Sequence, residues 1–314
     1  MKYHSLLPRD RAERLNKRIT EGMMSALKTI HSATSPDSMD PADLNRQRRG
    51  QEVLGRLASP PIGFSWEPFT HHQMSMAWVR PERGHQRRRV ILYCHGGGYT
   101  SGNLGYARVL AAKLSAATGC ETLAFQYRLA PEHPYPAALE DALTAWDYLM
   151  HLGYGARDVI VAGDSAGGNL ALELTLKLKE SGRFLPGRLV LFSPWTDLTA
   201  SGASYQSARD LDPMLTMNYI QAVRSAYAPQ TDWSDPHLSP LFADLHGFPP
   251  TLIHVGEREI LRDDSTALAQ KLREAEVPCV IRTWPDMWHV FQMFPLKSAG
   301  EAMEHVAAFL QRYD

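Results

Sequence analysis

Apolar residues recur along this chain in two different rhythms. Between Arg11 and Ile30 they fall at Leu15, Ile19, Met23, Leu27 and Ile30, steps of three and four that predict an amphipathic helix. A second amphipathic stretch runs over residues 41–57, and the segment SATSPDSMDPAD between the two reads as a loop from its Ser, Pro and Asp content. Two helices with weak packing of their own suit a lid better than an independent domain. Residues 1–75 are therefore expected to form an N-terminal helical cap segment.

From about Met74 short apolar runs alternate with helical segments. Strands are expected over residues 90–94, 121–127, 159–162, 189–192, 251–255 and 280–284, with helices near 106–117, 138–151, 166–180, 265–275 and 296–313. Alternation of this kind argues an α/β fold, a mostly parallel sheet flanked by helices on both faces. Residues 198–233 break the rhythm and are expected to join the N-terminal helices over the site. The catalytic domain then spans 76–314, with 198–233 contributing to the helical cap.

Composition narrows the class. The chain has 314 residues, 44% of them hydrophobic, ample for a large buried core. With 33 Lys+Arg against 34 Asp+Glu the net charge is -1, which gives no basic footprint for nucleic acid and no long-range pull towards anionic membranes. Any partner must be recognised by a local site. Cys94, Cys120 and Cys279 form no C-x-x-C pair, which argues against a disulfide framework and against a zinc site. The opening MKYHSLLPRDRAERLNKR lacks the apolar core of a secretion signal. No stretch approaches the ~20 apolar residues of a membrane helix. A cytoplasmic protein without stable membrane insertion is expected.

The strongest local signal is VIVAGDSAGGNLALEL, which holds G-x-S-x-G as Gly163-Asp164-Ser165-Ala166-Gly167 between an apolar strand and a helical run. That context is what a nucleophile elbow requires. The turn is crowded, so glycine on either side of the serine makes room, and the helix that follows aims its positive end at a developing oxyanion. Upstream, His95-Gly96-Gly97-Gly98 follows directly on a predicted strand. Successive glycines let backbone N–H groups turn towards a substrate oxygen. A phosphate loop is excluded, because no G-K-[ST] follows and the spacing is not G-x-G-x-x-G. The expected oxyanion-hole donors are the N–H groups of Gly97, Gly98 and Ala166, with His95 bracing the loop.

With these motifs the sequence resembles the hormone-sensitive-lipase-like branch of the α/β-hydrolases, the bacterial esterases with HGGG and GDSAGG motifs. YRLAPEHPYPAALEDA, SPWTDLT, DPHLSPL and PPTLIHVGE resemble that family too, in its usual order. The resemblance runs from about Val90 to the C-terminus and treats the N-terminal quarter as a variable cap. It implies the α/β-hydrolase fold, a serine carboxylesterase without cofactor or metal, a small-molecule ester as substrate, and a tendency to dimerise. Gln126 departs from the pattern, which more often has Asp there; that position bears on loop stability rather than chemistry.

In this fold the chain order is Ser, acid, His. His289, in WPDMWHVFQMF between a predicted strand and the last helix, matches the family's catalytic His loop. His254 within a strand and His305 within a helix are read as structural. For the acid, VGEREILRDDS stands where the family usually shows Asp-Pro-Leu-x-Asp and uses the first Asp. Aligned on the Leu, that position is Glu259, which can orient an imidazolium as Asp does. Asp263 and Asp264 are the rivals; both also suit the first turn of the next helix. Ser165, Glu259 and His289 are thus the expected triad. Met23, Met24, Trp66, Tyr205, Met214, Met217, Tyr219 and Trp233 are candidates for an apolar pocket or for packing of the cap. Short- to medium-chain acyl esters are the expected substrates. An amide or carbamate hydrolase with the same triad, and a non-catalytic binding protein on the same fold, are the alternatives.

Overall fold

The computed structural model describes residues 9–34, 39–57, 63–82 and 86–313. The first eight residues and residues 35–38 of the expected interhelical loop lie outside them. In chain order the elements are α1 (Arg9–Thr34), α2 (Pro41–Leu57), β1 (Phe64–His71), β2 (Met74–Pro81), β3 (Gln86–Cys94), α3 (Leu104–Thr118), β4 (Cys120–Phe125), α4 (Ala137–His151), β5 (Val159–Asp164) and α5 (Ala166–Glu180). They continue with β6 (Arg188–Phe192), α6 (Ser204–Ser207), α7 (Met217–Tyr227), β7 (Thr251–Gly256), α8 (Arg262–Glu274), β8 (Cys279–Trp284) and α9 (Lys297–Arg312).

The eight strands form one sheet in the order β1-β2-β4-β3-β5-β6-β7-β8. β2 runs antiparallel to both neighbours, and every pair from β4 to β8 is parallel. Side chains alternate across the pleat, so each central strand feeds two cores. Val90, Leu92, Val161 and Leu191 pack beneath α4, α5 and α8, whereas Ile91, Tyr93, Ile160 and Phe192 pack beneath α3 and α9. Burial on both faces is why these strands read as continuous apolar runs rather than alternating ones.

One boundary differs from the sequence expectation. Phe64–His71 is a strand of the sheet, paired antiparallel with β2 from Phe64–Pro81 to His71–Met74, although it lies inside the stretch assigned to a helical cap. As an edge strand it is only half-buried and carries Pro68, which an edge tolerates because one side of its backbone needs no partner. It therefore shows no apolar run.

The helices before it do form. Asp40 caps α2, accepting from the N–H groups of Ala42 and Asp43 at 2.9 Å, with Pro41 at the first helical position. On α1 only the C-terminal half of the expected stripe docks. Leu27 is buried, but Leu15 and Ile19 are 47% and 44% exposed.

Candidate active site

The site lies at the C-terminal ends of the parallel strands, where loops leave the sheet. Ser165 sits between β5 and α5 with φ 55° and ψ -123°, a conformation that a side-chain-bearing residue adopts only under constraint. Its backbone supplies that constraint. The Ser165 N–H donates to Phe192 O at 2.9 Å, and its carbonyl accepts from Trp195 N–H at 3.1 Å. A Cβ on Gly163 would lie 2.1 Å from Gly167 O, so the tightness of the turn dictates glycine there. α5 starts directly after Ser165 and points its N-terminus at the hydroxyl.

The glycine loop after β3 lies across from this elbow. Gly97 has φ 125°, and a Cβ there would meet Ser101 O at 2.3 Å. Asp164, buried beside the serine, accepts from Gly96 N–H at 2.9 Å, from Tyr106 Oη at 2.8 Å and from Tyr93 Oη, which locks the loop to the elbow. Among the described residues, the N–H groups of Gly97, Gly98 and Ala166 have no hydrogen-bond partner. Free donors flanking a strained serine are suited to stabilise a negative oxygen. Gly97→Ala is therefore expected to lower kcat by about 100-fold or more with a smaller change in KM, read from steady-state hydrolysis alongside a melting curve.

His95 braces that loop. It is fully buried, stacks on Tyr127 at 4.2 Å, and its carbonyl accepts from Tyr127 Oη at 2.7 Å. Burial pulls its pKa down to about 4, so it stays neutral. Tyr127 belongs to the YRLAPEH motif, whose Ala130 N–H also bonds Tyr99 O at 2.8 Å. Gln126 points its side chain to solvent, and its N–H pairs with Ser75 O at 2.9 Å.

Glu259 follows β7 and is fully buried. Its Oε2 lies 2.8 Å from His289 Nδ1, and its Oε1 accepts from Ser193 Oγ at 2.8 Å and from Gly256 N–H. A hydrogen at Nδ1 leaves Nε2 of His289 free to accept a proton. Burial pulls the His289 pKa down, but the hydrogen bond and charge of Glu259, with Asp212 and Asp164 behind it, outweigh that and hold it above the ordinary imidazole value. Ser193, which the sequence offers only as part of SPWTDLT, joins both sides: its Oγ also accepts from Val290 N–H at 3.2 Å. Val290 has φ 49°, unusual for a β-branched residue, so the chain next to His289 is held under strain.

Asp263 and Asp264 lie in the first turn of α8 and face elsewhere. Asp263 accepts from Ser204 N–H at 2.8 Å, and Asp264 accepts from Thr196 and Asp197 N–H at 2.9 and 3.0 Å. His254 and His305 bond each other at 2.8 Å between β7 and α9, away from Ser165.

Ser165, His289 and Gly97 line one cavity of about 90 Å³. Of the eight cap candidates, Met214 and Tyr219 reach it; Tyr205 is packed in the core, and Trp233 lies against Arg224 at 3.9 Å. Leu27, Ile30, Gln47 and Gln51 from α1 and α2, and Met293 and Phe294 beyond His289, complete the wall. No motif marks the four from α1 and α2, whereas Met293 and Phe294 end the WPDMWHVFQMF stretch. The capping side chains Asn103 and Thr216 start α3 and α7 so that Tyr106 and Tyr219 face the cavity. α2 also reaches the glycine loop, with Arg48 Nε donating to Thr100 O at 3.0 Å, and α7, with Gln47 Nε2 donating to Tyr219 Oη at 3.0 Å. Among the described residues no group of three or more His, Cys, Asp or Glu is placed to hold a metal ion, and no helix is long and apolar enough to cross a membrane.

A strained serine at a strand-to-helix elbow, with a buried His–Glu pair whose histidine lines the same cavity, is the arrangement of a serine hydrolase of the α/β class. Comparison with known proteins agrees. The alpha/beta hydrolase fold family matches residues 91–293. An acetyl-hydrolase of Streptomyces hygroscopicus is 38% identical over 84% of this chain and 87% of its own length. The carboxylesterase NlhH of Mycobacterium tuberculosis is 33% identical over 86% and 88%. A crystal structure of an esterase from the bacterial hormone-sensitive lipase family superposes with a TM-score of 0.87 at 32% identity, covering 94% of this chain and 97% of that one. The chain belongs to the α/β-hydrolase family, and within it to the esterases that resemble hormone-sensitive lipase. It is a carboxylic ester hydrolase.

Proposed function

We propose that Ser165, His289 and Glu259 form the catalytic triad, and that short acyl esters are the substrates. The observation that carries this is the buried 2.8 Å bond from His289 Nδ1 to Glu259 Oε2, on a ring that borders the same cavity as Ser165. His289 Nε2 takes the Ser165 Oγ proton as Oγ bonds the ester carbonyl carbon. The carbonyl electron pair moves onto oxygen, which accepts from the N–H groups of Gly97, Gly98 and Ala166. Collapse of this intermediate breaks the bond to the alcohol, which leaves with the proton from His289. Water then repeats the sequence on the acyl-enzyme and releases the acid.

The cavity, about 90 Å³ and walled by Leu27, Ile30, Met214 and Phe294, suits short acyl chains, and longer chains require the walls to move. In this reading α1, α2 and residues 198–233 form the cap, and the free thiols Cys94, Cys120 and Cys279 suit a reducing, cytoplasmic setting.

The test is a nitrophenyl ester series from acetate to palmitate, with a fluorophosphonate as covalent probe. Turnover is expected to peak at the short end, and mass spectrometry to place the label on Ser165. Label on another residue, or a peak at palmitate, would overturn the proposal.

A further inference from the structure

Asp212 lies in the segment between α6 and α7, outside every motif that marks the triad. It is 7% exposed, and all its described hydrogen bonds are to backbone N–H groups. Oδ1 accepts from Met214 at 2.8 Å and from Leu215 at 3.0 Å, two residues that line the catalytic cavity. Oδ2 accepts from Ile260 at 2.9 Å, the residue directly after Glu259. One carboxylate therefore holds a wall of the cavity with one oxygen and the loop of the triad acid with the other.

We propose that Asp212 is a positioning residue that ties the acyl-pocket wall to the Glu259 loop, so that acyl-chain selectivity and alignment of the His289–Glu259 pair depend on one side chain. The inference rests on the triad assignment above.

The electrostatics agree with the geometry. The charged groups acting on His289 are Glu259 after β7, Asp164 at the end of β5 and Asp212 from the cap segment. Burial pushes the Asp212 carboxyl up to about 6; the charge of His289 and the Ile260 and Met214 N–H groups work against that rise, and the charge of Glu259 adds to it. Asp212 thereby adds to the field that favours the imidazolium of His289.

Asp212→Asn tests this, because asparagine has a single acceptor oxygen for two sets of donors. Wild type, Asp212→Asn and Ser165→Ala are compared on nitrophenyl acetate and octanoate across pH. In Asp212→Asn, kcat/KM for acetate is expected to fall by on the order of 10- to 100-fold. The acetate-to-octanoate ratio is expected to drop as the wall loosens, and the acid limb of kcat/KM to move to lower pH. A variant with the wild-type ratio and acid limb overturns the proposal, whatever its melting temperature.

If Asp212→Asn does not fold, Asp212→Glu replaces it. The retained anion is expected to leave the acid limb in place while the ratio drops, and an unchanged ratio overturns the proposal. Turnover surviving in Ser165→Ala would instead defeat the triad assignment, so the two failures are distinguishable.

Discussion

Ester turnover is expected to fall by about a millionfold when Ser165 becomes alanine, the loss seen when a serine nucleophile is removed from a triad. The fold is expected to survive. The structural bonds at this position come from the main chain, whose N–H reaches Phe192 and whose carbonyl receives Trp195, and alanine keeps both. It also occupies the strained backbone at no greater cost than serine, since both carry a Cβ. The hydroxyl contributes chemistry rather than stability, so the melting temperature stays within a degree or two while kcat collapses. A small rate above solution remains from binding and from the N–H groups of Gly97, Gly98 and Ala166. Stopped-flow hydrolysis of nitrophenyl acetate beside a thermal melt reads both quantities. Activity within tenfold of wild type would mean that another residue attacks the ester.

The second large effect is at the acid. Glu259→Ala is expected to cost about 10⁴-fold in kcat, because the imidazole loses the anion that sets its tautomer and stabilises its charged form. Asp263→Ala should cost less than about tenfold, since Asp263 holds Ser204 rather than His289. The reverse ranking would sink the assignment of Glu259. A pH profile adds a signature that a purely structural role would not move.

Because the His289 pKa lies above the ordinary imidazole value, the neutral base is lost as pH falls through that raised value. The acid limb of wild-type kcat/KM should therefore sit above the usual histidine range. In Glu259→Gln the main cause of the raise is gone, and the limb shifts to lower pH even as the rate drops.

Much of this was legible in the residues because the chemistry demands local motifs. Ser165 and Gly97 sit where crowding and positive φ leave few choices of neighbour, and such constraints write themselves into consecutive letters. The parallel strands were legible because burial on both faces makes them uniformly apolar. β1 was not, since a half-buried edge strand with a proline has neither an apolar run nor clean alternation. Ser193 and Asp212 were invisible as site residues for another reason. Each acts through contacts that span tens of residues of chain, Ser193 to Glu259 and Val290, Asp212 to Ile260. A single sequence carries no trace of such pairings. The cavity wall from α1 and α2 was hidden likewise, because an apolar residue facing a substrate and one facing a core look alike.

The order in which these groups occur along the chain has a consequence for synthesis. The elbow at the end of β5, the glycine loop after β3 and the bracing Tyr127 are all made before Glu259 or His289 has been added. N-terminal regions of a growing chain organise first, so the nucleophile can be shaped while nothing is present to take its proton. Glu259 closes on His289 only when β7 and β8 join the sheet's far edge and the loop beyond β8 docks against Ser193. With the proposed triad, a chain that lacks its last two strands is therefore expected to carry a shaped serine with no base beside it, and to stay inert towards esters until β7 and β8 have docked.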